Sequence, residues 1–203
     1  MRRFWIAGVL LLGQALSGCS AGMHSNGFVE PHLMAAYVPL VQREDFLRSR
    51  WGAGLNVAPH VAVTNDHNLN LIPKERLLAR SRDYDLLFFR SDDDIAPPTA
   101  KARAGDPVIA YGQGMSEDLR EARGTVSALD EHVPARCEGC AEQRALVFDA
   151  NAGGGFSGGP VVDAETGAVL GITFGYIDRQ SGRRMYAYDI DLVLAEMRRL
   201  LGR

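Results

Sequence analysis

The sequence predicts an all-β fold of the sandwich or barrel type that ends in one α-helix. From Tyr37 onward, short runs rich in valine, isoleucine, phenylalanine and tyrosine alternate with glycine, aspartate and proline clusters. This pattern is typical of strands joined by turns, and no regular alternation of strands with helices interrupts it. The predicted strands are Tyr37–Val41, Val61–Thr64, Leu86–Phe89, Val108–Tyr111, Thr125–Leu129, Ala145–Phe148, Pro160–Val162, Val169–Phe174 and Met185–Tyr188.

The predicted helix covers residues 191–203. It starts at the acidic Asp191, and two arginines, Arg198 and Arg199, stand in its last turn before Gly202. These are the usual signals of a helix start and a helix end. Apolar side chains recur near helical spacing, which predicts one buried face; they are Leu192, Ala195, Met197 and Leu200.

Composition and charge exclude several classes of protein. The chain has 203 residues, of which 46% are hydrophobic and 23% charged, and this is ordinary globular composition. Its net charge is −3 and its basic residues are scattered, so no nucleic-acid partner is expected. Three cysteines are too few for a disulfide scaffold.

The first 18 residues are predicted to be a lipoprotein signal peptide. Two arginines, Arg2 and Arg3, precede an uncharged run from Phe4 to Leu16, which is too short to span a bilayer as a helix. Leu-Ser-Gly-Cys then resembles the bacterial lipobox, which implies lipidation of Cys19 and a membrane partner through that anchor. Ser20 follows without the aspartate of inner-membrane retention, which favours the outer membrane. The alternative is a cleavable signal with an incidental cysteine.

The segment Asn151–Asp163 is the most specific stretch for chemistry. Glycines surround Ser157, and a nucleophilic hydroxyl needs a sharp turn that substrate can approach. A phosphate-binding loop would need a lysine, which is missing here, and a flexible linker fits poorly because apolar runs abut both sides. The α/β-hydrolase elbow also fits the letters Gly-x-Ser-x-Gly, but that family places its histidine after the serine. Here all the histidines precede it: His24, His32, His60, His67 and His132.

Ser157-Gly-Gly-Pro-Val-Val resembles the nucleophile motif of the trypsin-like serine proteases, which have the chymotrypsin fold. The likeness is particularly to the bacterial high-temperature-requirement (Deg) proteases, and it covers roughly residues 50–200. It implies two six-stranded-type antiparallel β-barrels, the first of them trimmed, and a C-terminal helix. Five further segments match family strands in the right order: Gly52–His67, Asp85–Phe89, Gly105–Gly112, Gly124–Ala128 and Gly167–Ile172.

The resemblance implies a serine endopeptidase. Ser157 would be the nucleophile, His67 the general base and Asp85 the carboxylate that orients the imidazole, while the N–H groups of Gly155 and Ser157 would form the oxyanion hole. The rivals for the base are His60, in an expected hairpin turn, and His132. Asp83 and Asp92–Asp94 compete with Asp85, but only Asp85 opens an apolar run.

Several positions depart from the family pattern. Asp85 follows His67 by only 18 residues, Asp66 stands beside the histidine, and Leu87 replaces a small residue. Phe156 precedes the serine where trypsin has an aspartate, so the zymogen switch of trypsin is not expected. These departures keep an alternative open, in which the chain is a catalytically degenerate module that binds peptides or envelope proteins.

By family position, the primary substrate pocket is expected to lack an acid at its base. Cleavage after arginine or lysine is therefore not expected, and a small or medium apolar residue is favoured. The expected lining residues are Asn151, Thr173, Phe174, Gly175 and Met185.

Cys137 and Cys140 lie in an apparent insertion, where an oxidising compartment would allow them to form a small disulfide. A metal site would need two more ligands, and a redox role would need a βα context that is missing. We therefore expect no metal and no small-molecule cofactor. The expected partner is a polypeptide substrate.

The predicted organisation has five parts, and an acidic segment with two prolines, Ser91–Thr99, separates the barrels. Because the signal peptide is of the lipoprotein type, the predicted location is the bacterial cell envelope, on the periplasmic side. The parts are a signal peptide at 1–18, a tether at 19–32, an N-terminal barrel at 33–95, a C-terminal barrel at 96–190 and a helix at 191–203.

Overall fold

The computed structural model describes residues 22–45, 48–114, 116–133, 142–180 and 182–202. Most of these residues belong to two antiparallel sheets, and the last element along the chain is a helix. In that part of the chain, no helix is long and apolar enough to cross a membrane. The strands are β1 Met23–His24, β2 Tyr37–Asp45, β3 Arg48–Ala58, β4 Val61–Thr64, β5 Leu77–Arg80, β6 Leu87–Arg90, β7 Pro107–Gln113, β8 Leu119–Val133, β9 Gln143–Ala150, β10 Pro160–Asp163, β11 Val169–Arg179 and β12 Gly182–Asp189.

The helices are short. Helix α1 is Pro31–Ala36 and helix α2 is Ile190–Leu201, and two 3₁₀ helices cover Asp66–Leu71 and Lys74–Arg76. Helix α2 begins where the Asp189 side chain accepts the N–H of Asp191, and it ends at Gly202 in the left-handed conformation.

The second sheet is a closed barrel. Its strand order is β8-β7-β10-β11-β12-β9, and β9 pairs again with β8, so six strands return to their starting point. Strand β1 adds to β8 outside this ring. The first sheet has five strands in the order β2-β3-β4-β6-β5. The predicted fold, with a trimmed first barrel and a C-terminal helix, is confirmed.

The largest apolar core joins the two sheets and both helices. Side chains from the first sheet, such as Leu55 and Phe88, share it with Tyr188 of β12, Leu33 of α1 and Val193 of α2. The interior of the closed barrel holds a second core, and a third lies within the first sheet. The two sheets are therefore held together by buried apolar contact around the cleft between them.

Strand β8 is longer than the predicted Thr125–Leu129. It extends from Leu119 because its first residues pair with β7, and it reaches Val133 because its last residues pair with β9. Only Ala122, Val126 and Val133 of this strand are buried, and the charged and polar side chains between them are exposed or half-buried, so the apolar signal in the sequence covers only its middle.

The segments that were expected to be linkers make hydrogen bonds. The described part of the predicted tether, residues 22–32, runs along the second sheet and includes β1 and the start of α1. In the acidic segment, the carbonyl of Asp93 accepts the His60 N–H and the carbonyl of Pro98 accepts the Val169 N–H. The proposed domain limits remain predictions.

Candidate active site

Asp85 holds His67 through both of its carboxylate oxygens. Oδ2 lies 2.7 Å from the imidazole Nδ1, and Oδ1 accepts the His67 backbone N–H at 3.0 Å. Asp85 is 1% exposed, and a carboxylate buried to this degree must be hydrogen-bonded. Because an ionised carboxylate only accepts, Nδ1 carries the hydrogen and Nε2 of the neutral ring is left as an acceptor.

The backbone of Asp85 is fixed from both sheets. Its N–H donates to the hydroxyl of Tyr188 at 3.0 Å, and its carbonyl accepts from Nδ2 of Asn65, also at 3.0 Å. Tyr188 is itself held by stacking on Phe174, with ring centroids 4.2 Å apart. The backbone that carries the carboxylate therefore cannot move away from His67 without breaking contacts in both halves of the molecule.

Asp66, the unexpected acid beside the histidine, forms an ion pair with Arg80 of β5. Both carboxylate oxygens accept from the guanidinium at 2.6 Å, and this hydrogen bonding raises the pKa of Arg80. A two-point pair fixes the orientation of both groups. Asp66 thus ties the 3₁₀ helix that carries His67 to an edge strand, and its charge is paired there.

Ser157 is the second residue of a tight turn, Phe156–Gly159, which follows directly on another tight turn, Gly153–Phe156. The N–H of Phe156 donates to the Gly153 carbonyl, and the N–H of Gly159 donates to the Phe156 carbonyl. Gly155 (φ +89°) and Gly158 (φ +82°) occupy the third position of these turns, where a type II turn requires positive φ. A side chain at either glycine would also overlap a backbone carbonyl, that of Gln113 or of Ala53.

The carbonyl of Ser157 is bound by the first sheet. It accepts the N–H of Ala53 at 3.0 Å and Nδ2 of Asn68 at 3.1 Å. The Asn68 amide also donates to Thr64 Oγ1 at 2.9 Å, and the Thr64 hydroxyl donates to the Ala53 carbonyl. Sequence reasoning missed Asn68, although its place directly after His67 was a signal that could have drawn attention to it.

His67 and Ser157 line the same open pocket, of about 250 Å³. Gly155 is buried beside it. Within the described residues, the amide N–H groups of Gly155 and Ser157 have no hydrogen-bond acceptor. The other lining residues of the pocket are Gly153, Gly154, Phe174, Gly175 and Tyr176.

The expected substrate-pocket residues are only partly found there. Phe174 and Gly175 line the pocket, whereas Thr173 and Met185 are buried and Asn151 is exposed. The side chain of Met185 is instead part of the apolar core inside the closed barrel.

Tyr176, which the sequence did not single out, forms part of the pocket wall. Its ring lies 4.8 Å from the guanidinium of Arg183, and Arg183 also donates to the Ala152 carbonyl at 2.9 Å. These contacts hold the aromatic ring in position beside the site.

The rival residues occupy other surroundings. His60 is an exposed residue of the β3–β4 turn with φ +59°, and His132 lies 3.3 Å from Glu142 at the surface. Asp83 pairs with Arg199 and Asp92 pairs with Arg76. The cysteines Cys19, Cys137 and Cys140 lie outside the described residues.

Comparison with known proteins gives a family and a fold. A family model for the trypsin-like peptidase domain matches residues 66–172, which is more than half of the chain. A search of curated proteins finds no matching sequence.

Solved structures with the same fold include HtrA-type proteases. AlgW, an HtrA-type protease with a bound tripeptide, superposes with a TM-score of 0.67 at 20% identity over 84% of this chain, which spans 61% of AlgW. The Rv3671c protease from M. tuberculosis gives 0.65 at 15% identity, over 82% of this chain and 81% of that one. The MamO protease domain from Magnetospirillum magneticum gives 0.63 at 15% identity, over 82% and 97%.

The matched region contains His67, Asp85 and Ser157, and the two-sheet architecture agrees with that of the solved proteases. The resemblance read from the sequence motifs is confirmed, and the chain belongs to the trypsin-like peptidase domain family.

Proposed function

We propose that this chain is a serine endopeptidase that works through His67, Asp85 and Ser157. Nε2 of His67 takes the proton of the Ser157 hydroxyl as its oxygen attacks a peptide carbonyl, and the imidazolium then protonates the leaving amine. Asp85 keeps the ring in the required tautomer and stabilises its positive charge. Water then hydrolyses the acyl-enzyme, with His67 again acting as the base.

The N–H groups of Gly155 and Ser157 are proposed to stabilise the oxyanion of each tetrahedral intermediate. Both belong to a rigid pair of turns, and both are free of other acceptors among the described residues. Donors that are already oriented cost little reorganisation when negative charge develops.

One observation carries the proposal. A buried carboxylate binds both the ring and the backbone of His67, and this histidine shares a pocket with a serine on a glycine-rich turn. The ion pair of Asp66 with Arg80 gives the most unusual flanking residue a structural role. It thereby weakens the reason for regarding the site as degenerate.

The proposed substrate is an extended polypeptide that adds as a strand beside β11. Gly175–Arg179 of β11 pair with β12, and in the described part of the chain no strand pairs with their other edge. Phe174, Gly175 and Tyr176 lie at this edge and line the pocket. Backbone pairing would supply affinity, and the aromatic wall favours an apolar side chain at the cleavage site.

A fluorophosphonate probe tests the proposal, since it labels only a serine that has been activated as a nucleophile. We expect labelling of the wild type, loss of labelling in Ser157→Ala, and normal labelling in Ser127→Ala, whose serine is exposed on β8. A folded wild type that takes up no probe would point instead to a peptide-binding module.

We further propose that the protein is a lipoprotein of the bacterial envelope. The charged start, the uncharged run and the lipobox-like Leu-Ser-Gly-Cys ending at Cys19 support this location. The outer membrane is favoured by Ser20, and the protease domain would then lie on the periplasmic side.

A further inference from the structure

The segment Gly22–Ser25, called here the docked segment, is bound along the edge of the closed barrel. Met23 and His24 pair with the start of β8, and the Ser25 N–H donates to the Leu119 carbonyl at 2.9 Å. Ser25 is 5% exposed, and its hydroxyl donates to the Glu121 carboxylate at 2.7 Å. Backbone pairing and a buried polar contact together fix this segment.

Gly22 brings the docked segment against Phe156, the residue before Ser157. The Gly22 N–H donates to the Asn151 carbonyl at 2.8 Å. A Cβ on Gly22 would lie 2.6 Å from Cζ and 3.1 Å from Cε2 of the Phe156 ring, and 2.8 Å from the Glu121 carbonyl. Carbon atoms in good contact are about 3.5–4.0 Å apart, so only glycine fits here without a shift.

The Phe156 ring has little freedom to yield. Its side chain is fully buried in the core of the closed barrel, and it also packs closely against Gly112 of β7. Its backbone belongs to both of the Ser157 turns, to Gly153–Phe156 through its N–H and to Phe156–Gly159 through its carbonyl. A displaced ring would therefore move the backbone that holds the serine.

The barrel edge provides a second connection. The docked segment pairs with Arg120 and Glu121 of β8, and these residues pair with Gly112 and Tyr111 of β7. The next residue of β7, Gln113, donates its N–H to the Gly155 carbonyl at 2.9 Å. The docked segment is thus also connected to the Ser157 turns through two neighbouring strands.

We propose that the docked segment is a positioning element for the Ser157 turns, with Gly22 against Phe156 as its critical contact. This inference rests on the proposed function, because it makes the reactivity of Ser157 depend on the docked segment, which contains β1. Gly22 is accordingly a positioning residue, since it acts through Phe156.

The test compares Gly22→Ala with Gly202→Ala in the full chain. Both glycines have positive φ, +71° and +66°, so both variants carry the backbone strain of alanine. Gly202 has open space around its Cα, whereas Gly22 faces the Phe156 ring. We expect Gly22→Ala to lower the rate constant of fluorophosphonate labelling by about tenfold or more and Gly202→Ala to leave it unchanged.

Phe156→Leu supplies the matched background. Leucine lacks the Cε2 and Cζ atoms that the new methyl group would meet, so Gly22→Ala should slow labelling by a clearly smaller factor there than in the wild type. An equal factor in both backgrounds, or no effect in either, would overturn the proposal.

The rate of amide hydrogen exchange in residues 151–160 tests the same contact by a measurement that does not depend on activity. We expect faster exchange in Gly22→Ala than in Gly202→Ala, because loosened turns open more often. Unchanged exchange contradicts the positioning role whether or not Ser157 reacts. A wild type that takes up no probe contradicts the proposed function, and exchange then decides the positioning role alone.

Discussion

Asp85 shows how a single buried side chain can determine the chemistry of a site. Its carboxylate binds one residue twice, and its backbone is bound by Asn65 and Tyr188 from opposite halves of the protein. Asn68 plays a comparable part for Ser157, because its amide binds both the serine carbonyl and Thr64. The groups that we propose to react are thus held by neighbouring residues that have no proposed role in the chemistry.

Replacing Asp85 by asparagine should lower the rate of fluorophosphonate labelling by about 10⁴-fold. The amide keeps the shape of the carboxylate but favours the wrong tautomer of His67 and cannot stabilise an imidazolium. Asp83→Asn is the matched control, since Asp83 is exposed and pairs with Arg199. Similar losses in the two variants would argue against a specific role for Asp85.

Replacing Asn68 by alanine should lower the labelling rate roughly five- to tenfold. The variant loses one donor to the Ser157 carbonyl, and a hydrogen bond contributes about 1 kcal/mol. Asn70→Ala, on the same 3₁₀ helix but exposed, should behave as the wild type. A folded Asn68→Ala protein with an unchanged labelling rate would show that Ala53 alone holds the carbonyl.

Helix α2 connects the end of the chain to the first sheet. Its buried Glu196 accepts a hydrogen bond from the Ser81 hydroxyl and pairs with Arg199, which also reaches Asp83. The apolar residues Val193 and Met197 enter the shared core from the same helix. The predicted C-terminal helix therefore helps to hold the two sheets together.

The Glu196 contacts predict a stability that depends on pH. The hydrogen bonds from Arg199 lower the pKa of Glu196 below its usual 4.5, burial opposes them, and Ser81 adds to the lowering. Because the folded pKa is depressed, the stabilisation is fully present above about pH 4.5 and is lost as the pH falls through the folded value.

Urea unfolding of the wild type and Glu196→Gln at pH 7 and pH 3 tests this prediction. We expect the variant to be less stable by about 1–2 kcal/mol at pH 7, a modest figure because Arg199 is half exposed, and the difference should shrink at pH 3. A difference that is independent of pH would assign the effect to packing instead.

The two sheets contribute different parts of the site. The first sheet supplies His67 and Asp85, and the closed barrel supplies Ser157, its turns and the pocket wall. The two sheets contact each other at the site through backbone groups. The N–H of Ala53 in β3 donates to the Ser157 carbonyl, and the Ala53 carbonyl leaves no room for a side chain at Gly158. The relative position of His67, Asp85 and Ser157 therefore depends on how the sheets pack together.

Lipid attachment is a prediction about the protein in its cell. Cys19 precedes Gly22 by three residues, which span at most about 11 Å, so an anchor there would hold the Ser157 turns close to a membrane surface. We expect metabolic labelling with a palmitate analogue to modify the wild type and the Cys137→Ala variant. Cys19→Ala should lose the label and leave the membrane fraction, and labelling that persists in Cys19→Ala would refute the anchor.

Much of the architecture was predictable because short sequence patterns indicate where the strands lie. The apolar runs around Val61–Thr64 and Val169–Phe174 form strands as predicted, since buried strands need such runs. Strand β5 and the ends of β8 were not predicted, because in partly exposed strands the apolar residues do not stand out from the polar residues around them. Among the pocket residues, Phe174 and Gly175 were predicted. Tyr176 was not, because its ring is held beside the pocket by Arg183 of the next strand, and this contact is not visible in the local sequence.

The amino-acid sequence alone specified the all-β class and the family, because residue order and motifs with local geometry carry them, and it also singled out His67, Asp85 and Ser157 as the candidate site residues. The tertiary structure alone decided that Asp66 pairs with Arg80, that Asn68 and Tyr188 brace the site, and that Gly22 touches Phe156. These contacts join residues that are far apart in the chain or on different strands. No local pattern encodes such distances, because they follow from how two sheets fill one core.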